Sequence, residues 1–258
     1  MSENYPYPHL HLLVSGGNSQ ILYCSDWNDW QIIGKTVDDA AGECFDKVGR
    51  MLGLPYPGGI YVSRIAGKED KNISNFPVGM KHSGDFNFSF SGLKTAVRYY
   101  LEKQVVVHET SQKFKLEQPL SEIAIKFLID HTLKDLQIIL NSGKSLVELN
   151  EYLEEKGYAG INLEEKDRIG FKLIKEVCIS AQSVIIEALT HKVKLAAREF
   201  KCQTVGLSGG VSANPMLREK LGDLFGEKLL LAPRHLTGDN AIMIGLAGLL
   251  NLKNQNTE

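Results

Sequence analysis

Three glycine-paired turns hold the residues of this chain best suited to chemistry: Ser15-Gly16-Gly17-Asn18-Ser19, Pro57-Gly58-Gly59 and Ser208-Gly209-Gly210-Val211-Ser212-Ala213-Asn214. A glycine pair lets backbone approach a ligand closely, because no Cβ intervenes and positive φ is accessible. Successive N–H groups in such a turn form an anion-binding nest. The first and third turns each follow an apolar, strand-like run. That combination points to one lobe of a phosphate-clamping, ATPase-type fold.

Carboxylates form the second group. Asp39, Glu43 and Asp46 are spaced i, i+4 and i+7, which on a helix places all three on one face. Exposed like charges at this spacing cost a few tenths of a kcal/mol per pair, about 0.2–0.5. Hydrogen-bonding sugar hydroxyls or facing a cation would justify them. An acidic solvated face softened by Lys47 and Arg50 is the plainer reading, and spacing alone favours it. Asp239 opens a helix after a strand and loop, so it reads as an N-cap or as a metal ligand in need of partners. The seven histidines include no helical H-x-x-x-H pair, and His9 and His11 would share one face of a strand as packed or edge residues. Ser15 and Ser208 precede Gly-Gly and do not sit in a G-x-S-x-G nucleophile elbow.

The elements that must carry these groups follow from periodicity and breakers. Residues 9–24 read as a hairpin closed by the first glycine turn, and Trp30–Gly34 as a third strand. Thr36 with Asp39 resembles a capping box that starts a helix near Val37, and Gly53, Pro55 and Pro57 end it at Leu52. Ile60–Ala66 reads as a short helix. Phe86–Ser91 alternates strictly, as a strand or extended segment with three Phe on one face. Gly92–Glu102 reads as a helix with Lys94 and Arg98 one turn apart. Residues 103–170 gain charge and lose glycine turns, and are expected to be a helical insertion with helices such as Leu120–Leu140 and Leu146–Lys156. A long helix, about Phe171–Phe200, rejoins the core. Thr204–Leu207 is a strand, Asn214–Phe225 a helix with Pro215 in its first turn, Lys228–Leu231 the last strand, and Asp239–Leu250 the last long helix.

Bulk properties narrow the class. A chain of 258 residues, 43% hydrophobic and 23% charged, is an ordinary globular protein with a sizeable core. A net charge of −2 supplies no overall field for nucleic acid. No apolar run approaches a membrane span, and the first residues do not read as a signal peptide. Cys24, Cys44, Cys178 and Cys202 show no C-x-x-C spacing, which favours free thiols and a cytoplasmic location.

Six stretches, in order, resemble the TsaD family of tRNA threonylcarbamoyltransferases, formerly called O-sialoglycoprotein endopeptidases. They are Leu13-Val14-Ser15-Gly16-Gly17, the Asp38–Val48 run DDAAGECFDKV, Gly53–Gly59 (GLPYPGG), Phe88–Thr95 (FSFSGLKT), Gly209–Asn214 (GGVSAN) and Thr237–Ala241 (TGDNA). The resemblance covers residues 9–102 and about 171–250. It implies an actin-like, sugar-kinase-like (ASKHA) α/β lobe formed by residues 1–102 and 171–258, with 103–170 as the helical insertion and the second lobe incomplete. It implies transfer of the threonylcarbamoyl group from threonylcarbamoyl-adenylate to N6 of the adenosine beside the tRNA anticodon.

By position, Leu13, Val14, Ser15, Gly16 and Gly17 would line the phosphate and carbonyl end of the substrate. Asp46 would bind the ribose, Gly59 would pack under the nucleotide, and Asn214 would contact it from the third turn. Asp239 would ligate a divalent metal, iron or zinc, with ATP or threonylcarbamoyl-adenylate as ligand. Partners implied are tRNA, where Lys94 and Arg98 are candidate phosphate contacts, and family-related proteins of the transfer complex. A second copy of the chain is a candidate to cover an exposed cleft wall.

Two departures stand out. The family's Gly-Gly-His-Thr is here Gly16-Gly17-Asn18-Ser19. Family members also begin with a further amino-terminal stretch that carries a first phosphate hairpin and two metal-binding histidines, so a truncated or partial chain is the expectation. The alternative is a non-catalytic nucleotide-binding or regulatory partner derived from the same family; a sugar or acetate kinase relative is weaker, given the order of the six blocks.

Overall fold

A computed structural model describes residues 6–26, 28–107, 145–155 and 165–237. His9–Val14 (β1) and Ser19–Cys24 (β2) form the expected antiparallel hairpin, and Trp30–Lys35 (β3) adds antiparallel to β2. Thr204–Ser208 (β4) pairs parallel with β1, and Leu229–Leu231 (β5) pairs parallel with β4. The order across the sheet is β3-β2-β1-β4-β5. Side chains alternate across a strand, so Leu10, Leu12 and Val14 enter the core fully buried while His9, His11 and Leu13 take the other face.

Ala41–Met51 (α1) and Gly58–Ala66 (α2) pack with their backbones in contact, since a Cβ on Gly49 would stand 2.7 Å from Gly58 Cα. Ser91–Val107 (α3) and Leu146–Glu155 (α4) follow, and Leu149 and Leu153 of α4 are fully buried in the same core cluster. Glu165–Glu199 (α5) spans the molecule, burying Ile174, Val177, Cys178, Ala181, Ile185 and Leu189 at helical spacing. A 3-10 turn, Gly210–Ala213, leads into Pro215–Phe225 (α6), with Pro215 in the first turn and Asn214 as N-cap. All four cysteines are free thiols, and among the described residues no helix is long and apolar enough to cross a membrane.

The expected start of the first helix needs correction. The first helix starts at Ala41, not near Val37. The Thr36 hydroxyl donates to the Asp39 carbonyl at 2.6 Å in a turn, and the helix is capped from another element: Ser19 Oγ accepts from Ala41 N at 2.8 Å. Asp39 therefore precedes the helix. Of the two readings of Phe86–Ser91, the extended segment holds: its only ladder contact among described residues is the bridge from Phe88 to Thr36. Its rings still bury as the alternation requires, with Phe88 and Phe90 stacked at 6.1 Å. Lys192, almost wholly buried on α5, anchors the preceding loop by donating to the Asp85 carbonyl at 2.6 Å and Ser83 Oγ at 2.9 Å. The Leu120–Leu140 and Asp239–Leu250 helices lie outside the described residues.

The third turn packs backbone to backbone against the end of β1, just before the first turn. Gly209 has φ of +89°, and a Cβ there would stand 2.2 Å from the Val14 carbonyl oxygen. A Cβ on Gly16 would meet no atom within 4 Å. Gly209→Ala should therefore cost about 3 kcal/mol or more, combining left-handed strain with a backbone clash, and Gly16→Ala no more than about 0.5 kcal/mol. Urea denaturation midpoints of the two variants test this contrast, and equal midpoints would refute it.

Candidate functional site

The first turn is closed on itself. Ser15 N donates to Asn18 O at 2.7 Å, and Asn18 N donates to Ser15 Oγ at 3.0 Å. Its outward carbonyl is taken by α1: Gly42 N donates to Ser15 O at 3.1 Å, and a Cβ on Gly42 would lie 2.5 Å from that oxygen. On the far side, Val14 O abuts Gly209, and Leu13 stands opposite Ser208 in the parallel register. The first and third turns thus meet at the carboxyl ends of the parallel strands β1 and β4. Open α/β sheets bind ligands at such an edge. Glycines 16, 17 and 210 face open space, with no atom within 4 Å of a Cβ position. The backbone of both turns is exposed at these positions.

The second turn is fixed by a carboxylate. Gly59 N donates to Asp46 Oδ1 at 2.7 Å, and a Cβ on Gly59 would crowd Phe45 Cβ at 2.9 Å. Among the described residues Asp46 Oδ2 takes no hydrogen bond, which leaves one acceptor oxygen for a ligand hydroxyl. Tyr56 and Ile60 beside this turn are exposed.

Asn214 is buried and committed. Its Oδ1 accepts from Leu217 N at 3.0 Å as the N-cap of α6, and its Nδ2 donates to Ser63 Oγ at 2.8 Å and to Gln182 Oε1 at 2.7 Å. Gln182, fully buried on α5, in turn donates to Gly67 O at 2.9 Å. This network sets the exit of the third turn against α2 and α5. Nearby, Ser212 Oγ is buried with no hydrogen-bond partner among the described residues.

The expected carboxylate stripe divides into separate functions. Asp39 pairs with Lys47 at 2.6 Å and with Lys94 at 3.4 Å, and Lys47 also meets Glu43 at 2.8 Å. Hydrogen bonds to Asp39 and Glu43 hold the Lys47 pKa above its ordinary value. Asp46 faces the second turn instead. Lys94 is thereby half-buried in an ion pair, whereas Arg98 is exposed, 3.7 Å from Glu102 and over the Tyr99 ring.

Sequence reasoning missed Asp38. Its Oδ1 accepts from Phe90 N at 2.8 Å and Ser91 N at 3.3 Å, and its Oδ2 from Ser89 Oγ at 2.5 Å and Ser91 Oγ at 2.8 Å. It caps α3 from a distant segment. The readable signal was the serines flanking Phe90, which are N-cap residues without an acid of their own. Partial burial pushes the Asp38 pKa up, but the hydrogen bonds from Ser89, Phe90 and Ser91 outweigh it, so the carboxyl titrates below its ordinary value.

His9 and His11 share a face as expected. His9 Nδ1 lies 2.8 Å from Thr204 Oγ1, His9 Nε2 lies 3.4 Å from His11 Nδ1, and His11 Nε2 lies 2.7 Å from Ser208 Oγ. Burial, then the neighbouring His11, pushes the His9 pKa down to about 4, and burial lowers that of His11. Asp239 lies outside the described residues. Among those described, no three His, Cys, Asp or Glu side chains come together to hold a metal.

The family model for tRNA N6-adenosine threonylcarbamoyltransferase, TsaD, matches residues 1–246. The chain belongs to the TsaD family. Relatives bearing that enzyme name include proteins of Fervidobacterium nodosum, 35% identical over 95% of this chain and 56% of the relative, and of Thermosipho africanus, 34% identical over 95% and 57%. A Rickettsia akari relative is 33% identical over 99% of this chain and 64% of its own length. The chain therefore spans about half to two thirds of the length of these TsaD relatives. The mixed five-stranded sheet with its helices is the α/β, actin-like architecture of TsaD.

In this TsaD chain the depressed Asp38 pKa has a signed consequence. A carboxyl titrating lower when folded contributes stability that is present above its unfolded pKa and lost as pH falls through the folded one. Asp38→Ala should cost about 1–2 kcal/mol at neutral pH through the lost cap. The gap from wild type should close as pH drops below the ordinary aspartate value of 3.8. Thermal melts of both proteins from pH 7 downward test it; a gap that stays constant would show that the contribution does not come from the ionised carboxylate.

Proposed function

We propose that this chain supplies the substrate-binding lobe for threonylcarbamoyl transfer to N6 of the adenosine beside a tRNA anticodon, acting in the cytoplasm. The open backbone of the first and third turns carries the reading: three glycines face open space at the carboxyl edge of β1 and β4, in a chain whose relatives bear that enzyme name. Backbone N–H groups of Gly16 and Gly17 would meet the phosphate and carbonyl of threonylcarbamoyl-adenylate, with Leu13 and Val14 forming the floor and Ser15, whose N–H is given to Asn18 O, closing the turn beside them. Asp46 Oδ2 would accept a ribose hydroxyl while Oδ1 holds Gly59 N. Gly59 would pack under the nucleotide. Asn214 would act at the same edge chiefly by holding the third turn, since its amide hydrogens are already used.

In the transfer, the adenine N6 attacks the carbamoyl carbon, the bond from that carbon to the phosphate oxygen breaks, AMP leaves with the electron pair and N6 loses a proton. Positioning is the main contribution of these residues, and a well-held pair of reactants supplies up to roughly 7–11 kcal/mol of the barrier. Asp239 would be the carboxylate ligand of a divalent metal, iron or zinc, whose chemistry is to polarise the acyl substrate. Further partners are family-related proteins of the transfer complex and, for an exposed cleft wall, a second copy of the chain.

Calorimetric titration with a non-hydrolysable threonylcarbamoyl-adenylate analogue or Mg-ATP tests the site. Saturable binding should weaken at least about tenfold in Asp46→Ala, the loss of a hydrogen bond to a charged group, about 1.5–3 kcal/mol. Unchanged affinity in that variant would remove Asp46 from the ligand site.

A further inference from the structure

The two histidines on β1 are joined into one directional chain that ends at the third turn. Thr204 Oγ1 donates to the Pro6 carbonyl at 3.0 Å, so its single proton is spent and it accepts from His9 Nδ1–H at 2.8 Å. Neutral His9 then offers Nε2 as acceptor to His11 Nδ1–H at 3.4 Å. Neutral His11 offers Nε2 to the Ser208 hydroxyl at 2.7 Å. The partners assign each tautomer, because a neutral imidazole has one donor and one acceptor nitrogen. Gly206 makes the space: a Cβ there would stand 2.4 Å from His11 Nδ1 and 2.8 Å from His9 Nε2. Ser208 stands partly exposed, paired with Leu13 and directly before Gly209.

The consequence lies in the direction of one proton. Ser208 gives its only hydrogen inward to His11, so toward the cleft it presents lone pairs and no donor. Such a hydroxyl accepts from an N–H or O–H group and repels phosphate oxygens. Building on the function proposed above, we propose that Ser208 is a specificity-determining contact for the acyl end of an acyl-adenylate, with His11 as the positioning residue that keeps it an acceptor. The acyl end carries a carbamoyl N–H and a hydroxyl; AMP lacks both, and the polyphosphate of ATP presents acceptors only. A site built to pair with a ligand N–H or O–H discriminates against analogues lacking it.

The test compares binding of the non-hydrolysable threonylcarbamoyl-adenylate analogue, AMP and ATP to the chain and its variants, each first shown to melt cooperatively. Ser208→Ala should weaken the acyl-adenylate analogue about 5- to 10-fold, one neutral hydrogen bond, and leave AMP unchanged. His11→Phe frees the Ser208 proton to turn outward, so it should reproduce that loss and tighten ATP. His11→Gln, which retains an acceptor, should recover part of the discrimination. The double variant should lose no more than Ser208→Ala alone, as for two groups acting through one contact. Equal losses for AMP and the analogue, or no loss in Ser208→Ala, overturn the inference while leaving the nucleotide site intact. Failure of the unmutated chain to bind either nucleotide overturns this inference and the function it rests on together.

Discussion

The placement of the first and third glycine turns depends on one contact, the Val14 carbonyl against the backbone of Gly209. No side chain fits between them, since a Cβ would lie 2.2 Å from the oxygen. The parallel pairing of β1 with β4 brings the two turns side by side, and the close approach fixes how they lie. Gly42 repeats the device on the other side of the first turn, where α1 donates its N–H to Ser15 O. Backbone packed on backbone leaves little freedom to move, because any shift opens a void or a clash. The glycines that face outward at 16, 17 and 210 inherit that rigidity while remaining open to a ligand.

Electrostatics then sorts the carboxylates crowded between Asp38 and Asp46. Asp38 is spent capping α3, with four hydrogen bonds to Ser89, Phe90 and Ser91. Asp39 and Glu43 are neutralised by Lys47, and Asp39 also by Lys94. Asp46 carries no ion pair among the described residues; its Oδ1 accepts from Gly59 N and its Oδ2 takes no hydrogen bond there. Neutralising its neighbours matters for an anionic ligand, because unpaired like charges beside a phosphate would oppose binding. The acidic run is thus compatible with a nucleotide only through the pairings that the tertiary structure supplies.

Much of this was legible locally. The hairpin, both strand-to-turn junctions, the long helix and Pro215 in the first turn of α6 follow from alternation and breaker residues. What failed was long-range. The start of α1 is set by Ser19, 22 residues upstream, so the local Thr36–Asp39 pattern pointed to the wrong residue. Phe86–Ser91 could be read as strand or extended segment, and the choice is settled only at distant Thr36, where among the described residues its one ladder contact is the bridge from Phe88. The period-2 spacing of His9 and His11 fixed their face, but Thr204 and Ser208 complete their chain across a sequence gap of nearly two hundred residues. For the candidate site, the glycine turns and Asp46 were readable, whereas Asp38 and Gln182 act through partners no local window contains.

These commitments also bear on how a reaction could be accelerated in such a cleft. His9 and His11 are held neutral by burial and are tied nitrogen by nitrogen to Thr204 and Ser208. For His11 to take a proton from a ligand, Nε2 would have to release Ser208, and the resulting imidazolium would stand beside another buried imidazole. Both changes cost free energy in a low-dielectric setting. The histidines are therefore better suited to orient a hydroxyl than to serve as general bases. On the proposed function, recognition would fall to fixed backbone donors, an oxygen of Asp46 and the oriented Ser208 hydroxyl. Groups of that kind distinguish ligands by where their donors and acceptors lie, and they favour reaction by holding the reactants in register.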